Sequence, residues 1–245
     1  MAADVLPGAG RAARKAAGLG VAPAVLLDQD GVLALEYLPE PWRYARAGDL
    51  RNLDVMESVI AAKKALHDAP PLGEIFCPFT KITALTDEAQ GAAVPLPEDI
   101  NHLLRSAMLI RQAITAAGAD TGFCHNDGTA SNIMLNGAAR LVDFDLGGDN
   151  DPWYDIGALM NDMCSFDNER RQVIELYAGR CEERLLHRCK LYGAVDDLMW
   201  GLWGITRAMT SGRGGIEFWK YGTWRLLHAR TAIGQGDFEM WLRLL

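Results

Sequence analysis

The sequence predicts an α+β protein in which helices dominate. Two observations carry that class. Near the start, the apolar runs "VAPAVLL" and "GVLALEYL" flank a turn, and in mid-chain three short apolar pieces, "GFC", "NIML" and "RLVDF", lie close together. The rest of the chain follows a helical period.

Residues 11 to 18 read as the tail of a helix, ended near Gly18 and Gly20. The first two runs read as strands joined by Asp28-Gln29-Asp30-Gly31, a turn sequence. "PEPW" then breaks the pattern. Residues 50 to 67 predict a helix with Leu53, Val55, Ile60 and Leu66 among its apolar positions, stopped by Pro70-Pro71. "LPEDINHLLRSAMLIRQAITAAG" predicts another, with Asp99 near its start, Ile100, Leu103, Leu104 and Met108 on one face, and Gly118 closing it. Asn136-Gly137 reads as a hairpin turn between the last two short strands. After 153 only helices are expected, over 153–165, 168–190, 193–210, 215–233 and a short one to the end.

Bulk properties narrow the function classes. The chain has 245 residues, 49% of them apolar, which supports one large domain or two modest ones. A net charge of −8 argues against a nucleic-acid groove and suits a cationic substrate. No run of apolar residues is long enough to span a bilayer, and the Ala- and Arg-rich start lacks the core of a signal peptide. The five cysteines, Cys77, Cys124, Cys164, Cys181 and Cys189, lack zinc-type spacing, which predicts reduced thiols in a cytoplasmic protein.

The chemistry is concentrated in two stretches, "FCHNDGTASNIM" at 123–134 and "RLVDFDLGGDNDPWYD" at 140–155. Asp127, on a loop after an apolar strand, is placed to take a proton from a substrate hydroxyl. Asn132 offers a neutral oxygen and Asp143 a charged one, the donor types that Mg²⁺ accepts beside a nucleotide phosphate. Each residue alone reads more simply as a cap or turn former. Their recurrence in a strand-loop-strand-loop context reverses that balance.

The arrangement resembles the catalytic core of the protein-kinase-like fold, through His125, Asp127, Asn132 and the Asp143-Phe144 pair. "CHND", with the Asn five residues after the Asp, looks like the small-molecule branch: choline and ethanolamine kinases and aminoglycoside phosphotransferases. The resemblance implies ATP and Mg²⁺ as cofactors, Asp127 as base with His125 and Asn132 in the catalytic loop, and Asn132 and Asp143 as metal ligands. Asp145 stands where that branch has Glu and would assist the metal. Asp155 matches a buried Asp that braces the catalytic loop. "LHDAPPLGEIFCPF" resembles the branch's Leu-His segment, and "LALEYL" its hinge strand, whose backbone would meet adenine near Glu36, Tyr37 and Leu38.

Toward the C-terminus, Trp200 and Trp203 are three apart and share a helical face. Aromatic faces attract quaternary ammonium groups, at roughly 0.5 to 2 kcal/mol per contact. With Tyr221 and the structural Arg225, they look like a choline-kinase substrate pocket, with Asp162 at an acidic position facing the cation. A further tyrosine of that pocket is absent; Phe166 or Asp167 lies near its place.

The resemblance lacks three parts of the family pattern: a phosphate loop, a strand lysine and the helical Glu that would pair with it. No Gly-rich phosphate loop precedes residue 21, no strand carries a Val-x-x-Lys lysine, and Glu36 is the first Glu. The implied organisation is a residual, incomplete N-lobe over 1–38 and a helical C-lobe over 39–245. The chain then begins inside the small lobe, and kinase activity of these residues is expected to be weak or absent unless an upstream extension or a partner, a second copy included, completes the lobe. The alternatives are an aminoglycoside or other small-molecule kinase, and a non-catalytic module that binds a small cation. His67, His102, His187 and His228 receive no chemical role.

Overall fold

The computed structural model describes residues 8–213 and 216–245. It is α+β, as expected, and divides into two units. The first comprises residues up to Phe76 together with Asp120–Glu182, and the second Cys77–Ala119 together with Glu183–Leu245. The boundary expected at residues 38 and 39 falls inside the first of these units.

The first unit opens with α1 (Ala9–Gly18), whose buried side is made of Ala9, Ala12, Ala13 and Ala16. β1 (Val25–Gln29) and β2 (Val32–Leu35) pair antiparallel with Gln29 opposite Val32. Asp30 and Gly31 both have positive φ, 51° and 75°, so the two-residue turn has the twist that hairpins favour. A short β3 (Arg43–Tyr44) leads into α2 (Leu53–His67), which Asn52 caps by accepting the Val55 N–H at 3.2 Å. The buried face of α2 carries Met56, Val59, Ile60, Lys63, Leu66 and His67, while Leu53 is exposed.

In the second unit, α3 (Pro78–Gly91) starts on a proline, where the missing N–H has no partner to lose. α4 (Ile100–Ala117) follows the predicted limits, but its buried stripe is Ile100, Leu103, Ala107, Ile110 and Ile114. Met108, expected in that stripe, is 61% exposed because successive i+4 steps from Leu104 drift off the axis of the face. Asp99 does not cap α4; its carboxylate takes both Nε and Nη2 of Arg230 at 2.5 and 2.7 Å.

The chain then returns to the first unit. β4 (Gly122–Cys124), β5 (Ile133–Leu135), β6 (Ala139–Leu141) and β7 (Gly148–Asn150) form two small sheets, β3-β5-β6 and β4-β7. "RLVDF" is strand only to Leu141, because the backbone turns left-handed at Asp143, φ 64°. β3 and β7, at two and three residues, are strands that only their partners reveal. α5 (Pro152–Met163) is capped by Asp151, which accepts the Trp153 N–H at 3.0 Å. α6 (Asp167–Ala178) ends at Gly179, φ 77°.

That ending corrects the expected helix over 168–190. The chain breaks at Gly179, where a left-handed C-cap forms, and not near Gly193, which lies buried inside the unbroken α7 (Glu183–Thr210). α8 (Phe218–Ile233) and α9 (Phe238–Arg243) complete the second unit; Gly215, expected to open α8, lies outside the described residues. α7 and α8 approach so closely that a Cβ on Gly222 would stand 2.6 Å from the Ile205 nitrogen and 2.9 Å from the Gly201 oxygen.

Candidate active site

The catalytic-loop residues are organised from a buried carboxylate. Asp155, on α5, accepts the backbone N–H of His125 and of Asn126, each at 3.0 Å, with one oxygen apiece. The same oxygens also receive Lys63 Nζ at 2.7 Å and face His67 Nε2 at 3.0 Å. Asp155, Lys63 and His125 are fully buried. Burial alone would raise the Asp155 carboxyl; the Lys63 ammonium and the His67 hydrogen bond outweigh it and hold the group well below the usual carboxylate range. His67 Nδ1 in turn meets the Tyr177 hydroxyl at 2.9 Å.

Two loop residues tie the motif stretches together. The His125 ring presents Nε2 to the Val142 carbonyl at 2.9 Å and Nδ1 to the Asp127 carbonyl at 2.6 Å. Burial, then the Lys63 charge, lower its pKa and favour the neutral ring. Asn126, left-handed at φ 64°, donates to the Leu146 and Gly148 carbonyls at 2.9 and 3.1 Å and accepts from Asn150 Nδ2 at 2.9 Å. Left-handed non-glycine residues gather where surrounding contacts enforce them, and here Asn126 and Asp143 both carry one. Gly128 packs directly on α5; a Cβ there would meet the Ala158 carbonyl carbon and the Leu159 nitrogen at 2.3 Å.

Asp127 is half-buried. Its Oδ1 accepts Thr129 N at 3.0 Å and Thr129 Oγ1 at 2.5 Å, which fixes the carboxylate as a local cap and leaves Oδ2 without a hydrogen bond among the described residues. Cap and base readings thus share one side chain. The Asn132 carbonyl accepts Val142 N at 2.9 Å, so Asn132 and Asp143 flank one backbone hydrogen bond.

The Asn132, Asp143 and Asp145 side chains make no hydrogen bond to the described residues. Partial burial, then the charge of Asp143, raise the Asp145 pKa. Two mutually repelling carboxylates and a carboxamide match the hard, oxygen-only donor set of Mg²⁺. Among the described residues, the His, Cys, Asp and Glu atoms that lie within 4.8 Å of one another are those of His67, Cys124 and Asp155. That buried trio is already served by Lys63, and burial raises the Cys124 thiol.

The remaining aspartates of the second stretch are structural. Asp149 accepts Leu72 N and Gly73 N at 2.6 Å each and thereby anchors the segment before Phe76. The expected hinge residues follow β2. Glu36 gives its N–H to the Ala24 carbonyl at 2.7 Å and accepts Ala24 N at 3.1 Å, so the hairpin already uses that N–H. Tyr37 is 83% exposed, and Leu38 is buried. Asp162 lies at the end of α5, 3.4 Å from the Ala130 N–H, and lines a cleft of about 250 Å³ with Arg51 and Cys164.

In the second unit, Trp203 is the hub of an aromatic cluster. Trp200 and Phe218 meet it edge-on at 5.4 Å between centroids, and Tyr221 at 6.2 Å. Phe218 was not among the sequence candidates. Arg225 is buried beneath this cluster's helix pair, bonded to Asp196 and 2.9 Å from Asp197.

Sequence reasoning also passed over Lys63, His67 and Asn126. His67, which received no chemical role from the sequence, is a buried bridge between Tyr177 and Asp155. The available signal was the stripe of α2: Lys63 and His67 stand seven and eleven residues after Met56, on the apolar face.

Residues 2–192 match the family model described as the phosphotransferase enzyme family. The chain belongs to this family. Among curated proteins it is 25% identical, over 195 residues, to one named probable choline kinase 1 from Arabidopsis thaliana, covering 66% of this chain and 56% of that protein. The chain therefore spans little more than half the length of that relative.

Among solved structures, a choline/ethanolamine kinase family protein from Mesorhizobium loti superposes with a TM-score of 0.87 at 24% identity, over 97% of this chain and 81% of the other. The choline kinase LicA from Streptococcus pneumoniae gives 0.75 at 18% identity, over 91% and 77%. An aminoglycoside 2'-phosphotransferase-IIIa gives 0.62 at 17%, over 91% and 83%. The phosphotransferase fold is thus the protein-kinase-like one that the motifs implied.

Proposed function

We propose that the chain transfers a phosphoryl group from ATP, with Mg²⁺, to the hydroxyl of a small amino alcohol such as choline or ethanolamine. The observation that carries this reading is the Asp127 carboxylate, held by Thr129 through one oxygen and open at the other, on a loop fastened on either side of Asp143, by His125 to the Val142 carbonyl and by Asn126 to the Leu146 carbonyl. In this reading Asp127 orients the acceptor hydroxyl and takes its proton. Asn132, Asp143 and Asp145 would hold magnesium, which when bound neutralises phosphate charge. Glu36, Tyr37 and Leu38 would border the adenine; a structure of LicA holds AMP.

The amine would be read by Trp200, Trp203 and Tyr221, and we add Phe218 to them because it packs edge-on against Trp203. The aromatic cluster and the choline kinase named above favour this acceptor over an aminoglycoside. The reading includes a cytoplasmic setting. None of the five cysteines is in a disulfide, and no helix of the described residues is long and apolar enough to cross a membrane.

ADP release in the presence of ATP, Mg²⁺ and choline or ethanolamine tests the proposal. Asp127→Asn should lower turnover by about 10² to 10⁴; undiminished turnover removes Asp127 from the mechanism. Calorimetry with choline separates the non-catalytic alternative, for which choline would bind and nucleotide would not.

A further inference from the structure

Lys63 has no place in the mechanism so far, yet its ammonium lies at the centre of the loop's support. Its side chain is 1% exposed, and Nζ is 2.7 Å from Asp155 Oδ1, 3.4 Å from His125 Nδ1 and 3.4 Å from the Asp127 carbonyl. An ammonium has three donors, and three acceptors surround this one. A single counterion for Asp155 would need only the first contact.

The other two contacts resolve a conflict in the loop. A neutral His125 carries one ring proton for two carbonyls, and we assign it to Nε2, 2.9 Å from the Val142 carbonyl, because Nδ1 also faces the Lys63 ammonium. Nδ1 then turns a lone pair toward the Asp127 carbonyl, 2.6 Å away. Two acceptors at that separation repel unless positive charge lies beside them. Lys63 is 3.4 Å from both, so its removal leaves the repulsion to be relieved by a proton shift on the ring or by a turn of the His125 ring or the Asp127 peptide. A peptide turn moves the Asp127 carboxylate, and a displacement of about 1 Å at a reacting group is enough for about a 10²-fold loss of rate.

We propose that Lys63 is a positioning residue for Asp127, acting through the Asp127 carbonyl and the His125 ring as well as through Asp155. The inference rests on the phosphotransfer reading, but one of its measurements does not need turnover. Lys63→Arg keeps the positive charge beside Asp155, but its planar, wider head does not reproduce a point donor shared among three acceptors. A counterion role is kept by that substitution and a positioning role is not.

The experiment compares wild type, Lys63→Arg and Lys63→Met. The expected result is a kcat at least about tenfold lower in Lys63→Arg, with KM for ATP and for the acceptor within about threefold of wild type. Lys63→Met should fall further in kcat. A folded Lys63→Arg protein with wild-type kcat overturns the proposal, as does a loss shared equally by kcat and KM. Hydrogen exchange is followed in the same samples. Lys63→Arg should raise exchange of the His125 and Asn126 amides while that of β5 and β6 stays unchanged. No change, or a uniform rise throughout the first unit, overturns the proposal whether or not wild type turns over. Should wild type itself fail to phosphorylate any hydroxyl acceptor, the phosphotransfer reading falls, and the exchange data alone decide on Lys63.

Discussion

Asp155 and Arg225 are each a buried charge whose partners decide what happens when conditions or residues change. For Asp155 the sign follows from its depressed pKa. The unfolded carboxyl takes up a proton below about pH 4 while the native one stays ionised, so its contribution is present above that and is lost as pH falls. His125 acts in the same direction: its native ring is held neutral, and the unfolded ring protonates below about pH 6.5. Thermal denaturation between pH 8 and pH 4, in about one-unit steps, should therefore show a midpoint that declines from about pH 6.5 downward and steepens below about pH 5. A midpoint that rises on acidification contradicts the assigned ionisation. At Arg225, replacement by Met removes the guanidinium that Asp196 and Asp197 both face. Removing one partner of a buried pair costs about 3 to 5 kcal/mol, a drop of about 6 to 20 °C in Tm for a chain of this size.

What could be read from the sequence also divides at this scale. Asp127, Asn132 and Asp143 were legible because loop residues bearing costly polar groups stand out between apolar strands. Lys63 was not, because a lysine on a helix normally reaches solvent, and its burial arises only when β4 and α5 bring His125 and Asp155 against α2. Phe218 was missed because an aromatic at a helix start carries no period of its own; only its 5.4 Å contact with Trp203 reveals it.

Among the elements, periodicity located the long helices, and short-range chemistry located the β1–β2 hairpin. It failed where a tertiary contact overrode a local rule. A break was expected between 190 and 193, yet α7 runs unbroken through that stretch, while Gly179, in the left-handed region, ends the preceding helix. β3 and β7 are too short to show alternation and exist through β5 and β4. The α7–α8 pair yields a prediction of its own. Gly222→Ala adds helix propensity worth about 1 kcal/mol, but its methyl meets backbone, which has nowhere to move. The net effect should be destabilisation by about 1 to 3 kcal/mol in urea unfolding; a more stable variant shows that the helices separate at no expense.

For the molecule as a whole, the net charge of −8 bears on nucleotide binding. A polyanionic ligand meets an acidic protein, so unaccompanied ATP should stabilise the fold little, and ATP with Mg²⁺ should raise Tm by several degrees at saturating concentration. A stabilisation of about 2.7 kcal/mol is expected at a hundredfold excess over Kd. EDTA should abolish the rise, and Asp143→Asn should diminish it. Equal shifts with and without the metal count against the proposed ligand set. Fold class was legible at this scale from the order of strands and helices. The division into two units was not, because the first is assembled from stretches on both sides of residues 77–119.

If the rings of α7 and α8 read an amine as proposed, the glycine contact between these helices limits how that recognition can diversify. A crossing held at backbone distance leaves no slack for the two helices to slide apart and admit a bulkier headgroup. New selectivity in this part of the chain must come from trading rings at 200, 203, 218 and 221, against a frame that stays put. Libraries randomised at those four places should return altered preference with intact folding, whereas libraries aimed at 204 and 222 should return mostly insoluble protein.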